Sequence, residues 1–310
     1  SKKYYKRMAD LDALFKEYKD KYDNLRSDYF KEWLIEATDL SKPVIDTITK
    51  TILDPKTNAQ MKRQCYDFIN MCYYYDIDAV KKIGEAEKLP EILSKYVSSM
   101  KKDNLDVKAV EVYVLNWDLE KYKAFYTQNL MDNLFVAIGK IDNSAILDYL
   151  AKLFTQTNNI YTSNSSNLFL IAYHNSSNKR FFDEMLLRLL NEERDNEKIM
   201  QNYNCLMNLI ETEKKCIFYK DDLATLMDIL ITRLTTSYSE EVKMFALTVL
   251  GMLITFPDYY DEMYKNWGPD DPEESKEYWP EFNSPEELIE YIGTDVTLFG
   301  LEDAIYARSK

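Results

Sequence analysis

Apolar clusters recur at a regular interval between residues 178 and 256. They are Met185-Leu186-Leu187-Arg188-Leu189-Leu190, Leu206-Met207-Asn208-Leu209-Ile210, Leu226-Met227-Asp228-Ile229-Leu230 and Leu250-Gly251-Met252-Leu253-Ile254. The interval is ~20 residues, so a two-helix unit repeats every ~40, the period of stacked HEAT or armadillo repeats. The pattern predicts helices over 178–190, 195–212, 220–236 and 239–256. One such helix pair cannot cover its own apolar face and must stack on a neighbour. The predicted fold is therefore all-α, an armadillo/HEAT-like helical solenoid, with residues 1–310 as a single repeat domain.

The same periodicity runs upstream. Met8, Leu11, Phe15, Tyr18, Tyr22, Leu25 and Tyr29 alternate spacings of three and four, which predicts one long helix over 7–37 with an a/d-type seam. That seam either packs on the rest of the solenoid or serves as a dimer seam or partner-binding helix; its aromatic filling argues against a simple two-stranded coil. Ser41-Lys42-Pro43 starts a short helix with Val44, Ile45, Ile48 and Ile52 inside, ended by Asp54-Pro55. Further helices are expected over 58–75, 77–88, 90–102, 103–117, 121–128, 130–141 and 144–157, separated by short polar joints. Residues 157–167 are polar and turn-forming, and predict a loop before a short apolar helix at 168–173. After Pro257 the pattern changes to an acidic loop, a capping box at Ser284-Pro285-Glu286-Glu287, and two helices that cap the open end of the solenoid.

Composition narrows the function. Six glycines and eight prolines in 310 residues are too few for a sheet protein or for glycine loops around a nucleotide. No uncharged apolar run reaches the ~18 residues of a membrane span, and the basic start, Ser1-Lys2-Lys3-Tyr4-Tyr5-Lys6-Arg7, is not followed by the apolar run of a secretory signal. The net charge is −14, and residues 257–290 carry twelve acids against two lysines. Such a chain is a poor nucleic-acid binder and suits a partner with a basic face.

The usual catalytic and ligand patterns do not appear. There is no GxGxxG, no GxxxxGK[ST] and no HExxH, and a single histidine, His174, leaves the common base-and-nucleophile arrangements without a base. His174 is expected at a loop or helix end, bonded to backbone. Cys65, Cys72, Cys205 and Cys216 form no CxxC pair and read as small buried apolar residues in a reducing compartment. Asp221-Asp222 reads as a pair of carboxylates at a helix start, where the dipole favours them. The expectation is no enzyme, no metal and no cofactor.

One polar pattern is more specific. Gln201, Asn204 and Asn208 lie three and four apart on one face of the 195–212 helix, opposite Tyr203, Leu206 and Ile210. Amides offer donors and acceptors without the desolvation cost of a charge, so this row suits gripping a partner, with Arg188 and Lys198 as nearby basic contacts. A plain solvent-facing stripe is the alternative.

The centre also carries a resemblance. Phe182-Asp183-Glu184-Met185-Leu186-Leu187-Arg188-Leu189-Leu190-Asn191-Glu192-Glu193-Arg194-Asp195, followed one helix later by Phe218-Tyr219-Lys220-Asp221-Asp222-Leu223 and an Asp-Ile helix, resembles the leucine-rich, armadillo-like domain of the WISH/DIP/SPIN family. The resemblance covers ~75 residues and departs from the family pattern at Lys220-Asp221, where Thr-Asn is usual, and at His174-Asn175-Ser176. It implies a non-enzymatic activator of the actin-related protein 2/3 complex. Such a protein binds the complex and promotes its active conformation without a pre-existing filament, nucleating linear actin filaments that seed branched networks. In energetic terms this is a population shift, which requires tighter binding to the active arrangement than to the inactive one. The partners it implies are the actin-related protein 2/3 complex and, indirectly, actin. The location it implies is cytoplasmic, in the actin cytoskeleton at cortical patches, with a role in endocytosis. Two other readings stand beside it: a general armadillo-type scaffold that binds a helix or peptide in its groove, and a helical enzyme, which would require a pocket of carboxylates with raised pKa values.

Overall fold

The computed structural model describes residues 2–39, 42–79, 88–115, 123–215, 217–236 and 238–253. All regular structure among them is helical, as the periodicity predicts. In chain order the α-helices are α1 (Lys2–Asn24), α2 (Ser27–Ala37), α3 (Val44–Leu53), α4 (Ala59–Tyr74), α5 (Lys88–Ser99), α6 (Val107–Leu115) and α7 (Gln128–Ile138). They continue as α8 (Ser144–Asn159), α9 (Leu168–Asn175), α10 (Lys179–Glu192), α11 (Asn196–Glu213), α12 (Lys220–Thr235) and α13 (Glu240–Leu253). The chain divides into two compact units, Ser1–Leu153 and Phe154–Lys310. The acidic segment and capping helices expected after 256, most of the 77–88 helix, and Cys216 lie outside the described residues.

In the first unit, the single helix expected over 7–37 is two helices. Asn24 turns its amide back onto the Asp20 carbonyl (2.9 Å) and carboxylate (3.0 Å), a local bond that competes with continuation of the helix. Arg26 then adopts extended geometry, and α2 folds back on α1. Trp33 Nε1 donates to Glu17 (3.0 Å), and Phe30 sits against Tyr18 and Tyr22. The aromatic seam is thereby split. Leu11 and Phe15 are buried and Tyr18 packs against Phe30, Trp33 and Phe68, whereas Tyr22, Leu25 and Tyr29 stay exposed.

Caps decide several boundaries. The Asn58 side chain accepts from Met61 N (2.8 Å) to start α4, and Thr127 accepts from Leu130 N (3.1 Å) to start α7. α5 starts at Lys88 and carries Pro90 within its first turn, where the missing N–H costs nothing, so Leu89-Pro90 does not divide helices as expected. α4 buries Met61, Cys65, Phe68, Ile69 and Cys72, the face read from the sequence. The buried Asn133 of α7 donates to Val97 O (2.6 Å) and Met100 O (3.1 Å), satisfying carbonyls at the end of α5.

In the second unit Phe154, Phe169, Phe182 and Tyr173 form one aromatic cluster, with Phe169 and Phe182 centroids 5.2 Å apart. Burying each ring contributes roughly 1.5–3 kcal/mol, which fixes α9 and α10 against the end of α8. Beyond it the helices pack as a repeat requires: α10 on α11 and α12, and α13 on α11 and α12. Contacts at the helix ends give the directions. Lys179 at the start of α10 meets Glu213 at the end of α11. Arg180 lies over Tyr219 just before α12, and Arg233 near the end of α12 reaches Leu190 near the end of α10. So α10 and α12 run parallel with α11 opposed to both, the alternation of a helical solenoid.

Candidate protein-docking surface

α11 starts at Asp195, whose carboxylate accepts from Lys198 N (3.0 Å). Burial of Tyr203, Leu206 and Ile210 on one side of α11 then sets its rotation and so the direction of the amide row. Asn204 Nδ2 donates to Asn159 Oδ1, Asn208 Nδ2 donates to Asn158 Oδ1 (3.2 Å), and Asn159 Nδ2 reaches Gln201 O (3.4 Å). Asn158 Oδ1 also accepts from Asn167 (2.9 Å), whose own Oδ1 accepts from Leu170 N (3.3 Å) to cap α9. The row thus links α11 to the end of α8, and through Asn167 to α9. Gln201, Asn204 and Asn208 are half-buried along it. Arg188 of α10 is half-buried as well, and Lys198 is exposed in the first turn of α11.

A cluster of ionisable side chains joins α9, α10 and α11. The Tyr173 hydroxyl donates to Asp183 Oδ1 (2.8 Å), and Asp183 is 7% exposed. Burial pushes its carboxyl up to about 7, against the Tyr173 hydrogen bond and with the help of nearby Glu213. Glu213 receives Lys179 Nζ (3.0 Å) and His174 Nδ1 (2.5 Å). Burial raises its pKa, but those two hydrogen bonds and the charges behind them hold it below the usual glutamate value. His174 is at the end of α9 as expected, but its Nδ1 partner is a carboxylate rather than backbone.

The outward side of α10 and α12 carries exposed aromatics. Phe181 is 52% exposed and Tyr219 56%, and the Arg180 guanidinium stacks 4.3 Å from the Tyr219 ring while Nε holds Glu184 (2.9 Å). The stack fixes both side chains without burying either. Phe218 and Tyr219 divide the work of the sequence signature, since Phe218 is buried and Tyr219 faces out. The sequence pattern alone singles out Phe218-Tyr219 but does not mark Tyr219, Arg180 or Phe181 as contact residues. The signal was there in an aromatic pair at a helix entrance, of which only one can face the core.

At the other end of α10 lies an open groove of about 340 Å³, lined by residues of α10, α12 and the segments after them. Its inner wall is Arg233, 2% exposed, whose Nη2 donates to Leu190 O (2.9 Å) and Glu193 O (2.8 Å) and whose guanidinium stacks 4.4 Å from the Tyr238 ring. Arg194 Nη1 donates to Asn191 O (2.5 Å) and Glu193 O (3.0 Å). Two guanidiniums therefore satisfy the last carbonyls of α10, where the helix dipole favours cations. An arginine inside the apolar run Leu226–Leu234 was the sequence signal for this feature.

Among the described residues no group of three or more His, Cys, Asp or Glu side chains is arranged to hold a metal. Among them no helix is long and apolar enough to cross a membrane. Cys65, Cys72 and Cys205 are buried free thiols, as read from the sequence. Asp221 and Asp222 fall in the first turn of α12.

Residues 143–268 match the family model of the SPIN90/Ldb17 leucine-rich domain. The match begins just before α8 and takes in every described helix of the second unit, including the Phe182–Asp195 and Phe218–Leu223 stretches that carry the resemblance to the WISH/DIP/SPIN family. It supports a relation to that family broadly. No curated protein matches the chain, and no solved structure does.

Proposed function

We propose that this chain is a non-enzymatic activator of the actin-related protein 2/3 complex. It binds the complex and promotes its active conformation without a pre-existing filament, and the linear filaments that result seed branched networks. What supports the reading is the coincidence of the family match over 143–268 with an exposed, held aromatic surface, the Arg180–Tyr219 stack and Phe181. Rigid aromatics and arginine are the residues that dominate protein interfaces. A surface held in place before binding loses little entropy on docking, so it can prefer one arrangement of a multi-subunit partner over another. The site of action in this reading is the cytoplasm, at cortical actin patches, where such seeds serve endocytosis.

The test is bulk actin assembly with purified actin-related protein 2/3 complex, no other activator and no seed filaments. Faster nucleation that requires both components and yields unbranched filaments is the expected result. A folded helical protein that gives no acceleration with the complex of its own organism overturns the reading.

A further inference from the structure

We propose that the groove at the end of α10 binds an acidic segment of a partner protein, with a carboxylate of that segment held by Arg194. The argument starts from Arg233. It is buried, yet no carboxylate pairs with it among the described residues; its charge is met by Leu190 O, Glu193 O and the Tyr238 ring. Its remaining polar neighbour is the buried hydroxyl of Tyr203, which is neutral, so among the described residues no negative charge offsets the guanidinium from the core side. A guanidinium met only by groups without net charge keeps its own, and in a partly enclosed groove that potential is screened less than on open surface.

Arg194 stands at the exposed side of the same groove. Its Nη1 is fixed on two carbonyls, so the planar fork is already oriented, and such forks match carboxylates in a bidentate way. The rest of the lining sets what accompanies the acid. Ile229 is an apolar floor, and Thr225, Thr232 and Asn191 offer hydroxyls and an amide to a peptide backbone. Asp228, on the same face of α12 as Thr225 and Thr232, is the one acid of the lining and repels a second carboxylate. The groove therefore favours a segment with one acidic side chain among neutral residues over a continuous acidic run. The second unit as a whole is acidic, which makes this pair of arginines a local exception and gives it selectivity against basic segments.

The experiment measures fluorescence anisotropy of a labelled peptide, Ser-Gly-Leu-Glu-Gly-Ser with blocked ends, on the full chain at physiological salt. Counterparts with Gln or Lys in place of Glu serve as controls. The expected result is saturable binding of the Glu peptide, at least tenfold weaker for the Gln and Lys peptides. Arg194→Gln should weaken the Glu peptide at least tenfold, and Asp228→Asn should tighten it severalfold. Both residues are exposed, so circular dichroism should show both variants folded. Equal binding of the three peptides, no binding of the Glu peptide, or an affinity indifferent to both substitutions overturns the proposal. So does displacement by inorganic phosphate at the peptide's own concentration, which would mark a bare anion site. These outcomes are read without actin or its nucleators, so they neither support nor sink the proposed function.

Discussion

Asp183→Asn should stabilise the protein at pH 8 and remove most of its pH dependence between pH 5 and 8. Asp183 is buried on α10, accepts from Tyr173 of α9, and faces Glu213 and Cys205 of α11 and Lys179 and Glu184 of its own helix. Burial raises its carboxyl from 3.8 to about 7 in the folded protein. The sign follows from linkage. Above pH 7 the folded protein carries a buried carboxylate that the unfolded chain would solvate, which lowers stability. As pH falls through about 7 the folded state takes up a proton that the unfolded chain does not bind until about 3.8, so stability rises. Each unit of pH in that window is worth about 1.4 kcal/mol, so Asp183 alone makes the protein about 3 kcal/mol more stable at pH 5 than at pH 8. Glu213 acts with the opposite sign, since its lowered pKa gives stability that is lost as pH falls below the ordinary glutamate range, outside this window.

The amide of Asn keeps an oxygen to accept from Tyr173 and carries no charge to desolvate. At pH 8 the variant should gain roughly 1–3 kcal/mol, the upper part of that range being reduced by whatever its NH₂ leaves unmet. The measurement is urea unfolding followed by circular dichroism at pH 5, 6, 7 and 8, comparing midpoints at constant slope. Groups other than Asp183 are common to both proteins, so the difference between the two curves isolates Asp183. Parallel curves across the window, or a variant less stable at pH 8, would refute the reasoning.

Four further outcomes are expected. Asn204→Ala should lower stability by about 1 kcal/mol in urea unfolding, because Asn159 Oδ1 would lose its donor, and Asn208→Ala by less, because Asn158 Oδ1 keeps Asn167. Arg233→Met should cost about 1–3 kcal/mol, because Leu190 O loses its side-chain donor and Glu193 O keeps only Arg194, read as a lower urea midpoint. Asn133→Ala should cost about 1–2 kcal/mol in the first unit, because Met100 O loses its side-chain donor and Val97 O keeps only the longer bond from Met100 N. Phe181→Ser with Tyr219→Ser should weaken binding of the actin-related protein 2/3 complex more than tenfold in a pull-down titration, with the urea midpoint unchanged.

The helices were legible because burial on one side imposes a period of 3.6 residues, and the second unit shows that period without interruption. α10, α11 and α12 lie within one or two residues of their expected bounds. What periodicity does not contain is where a face points. The spacing of Gln201, Asn204 and Asn208 places them on one side of α11, but only the position of α8 decides that this side meets Asn158 and Asn159. The break at Leu25-Arg26 was hidden for a related reason. The apolar seam continues in register across it, so the only mark was one Asn whose side chain competes for a carbonyl. The groove is less legible still, because its two arginines lie 194 and 233 along the chain and meet only through parallel packing of α10 and α12.

The polar residues inside the second unit share one task, and this bears on what the surface can do. Asn158 and Asn167 tie the end of α8 to α9 and α11, Asp183 ties α10 to α9, and Arg233 ties the end of α12 to the end of α10. Apolar stacking alone would let such helices slide, since ridges and grooves offer neighbouring registers of similar energy. A buried polar group does not slide without losing its partner, at a cost of about 1–3 kcal/mol for each group left unmet. These ties fix the register of α10 against α12, and with it the spacing between the Arg180–Tyr219 stack at one end and the Arg194 groove at the other. Two contact features at a fixed separation can distinguish two arrangements of a partner, whereas either feature alone can only add affinity to both. Arg233→Met, which loosens this register while leaving the Arg180–Tyr219 stack and Arg194 in sequence unchanged, should therefore, under the proposed function, lose more activation than binding.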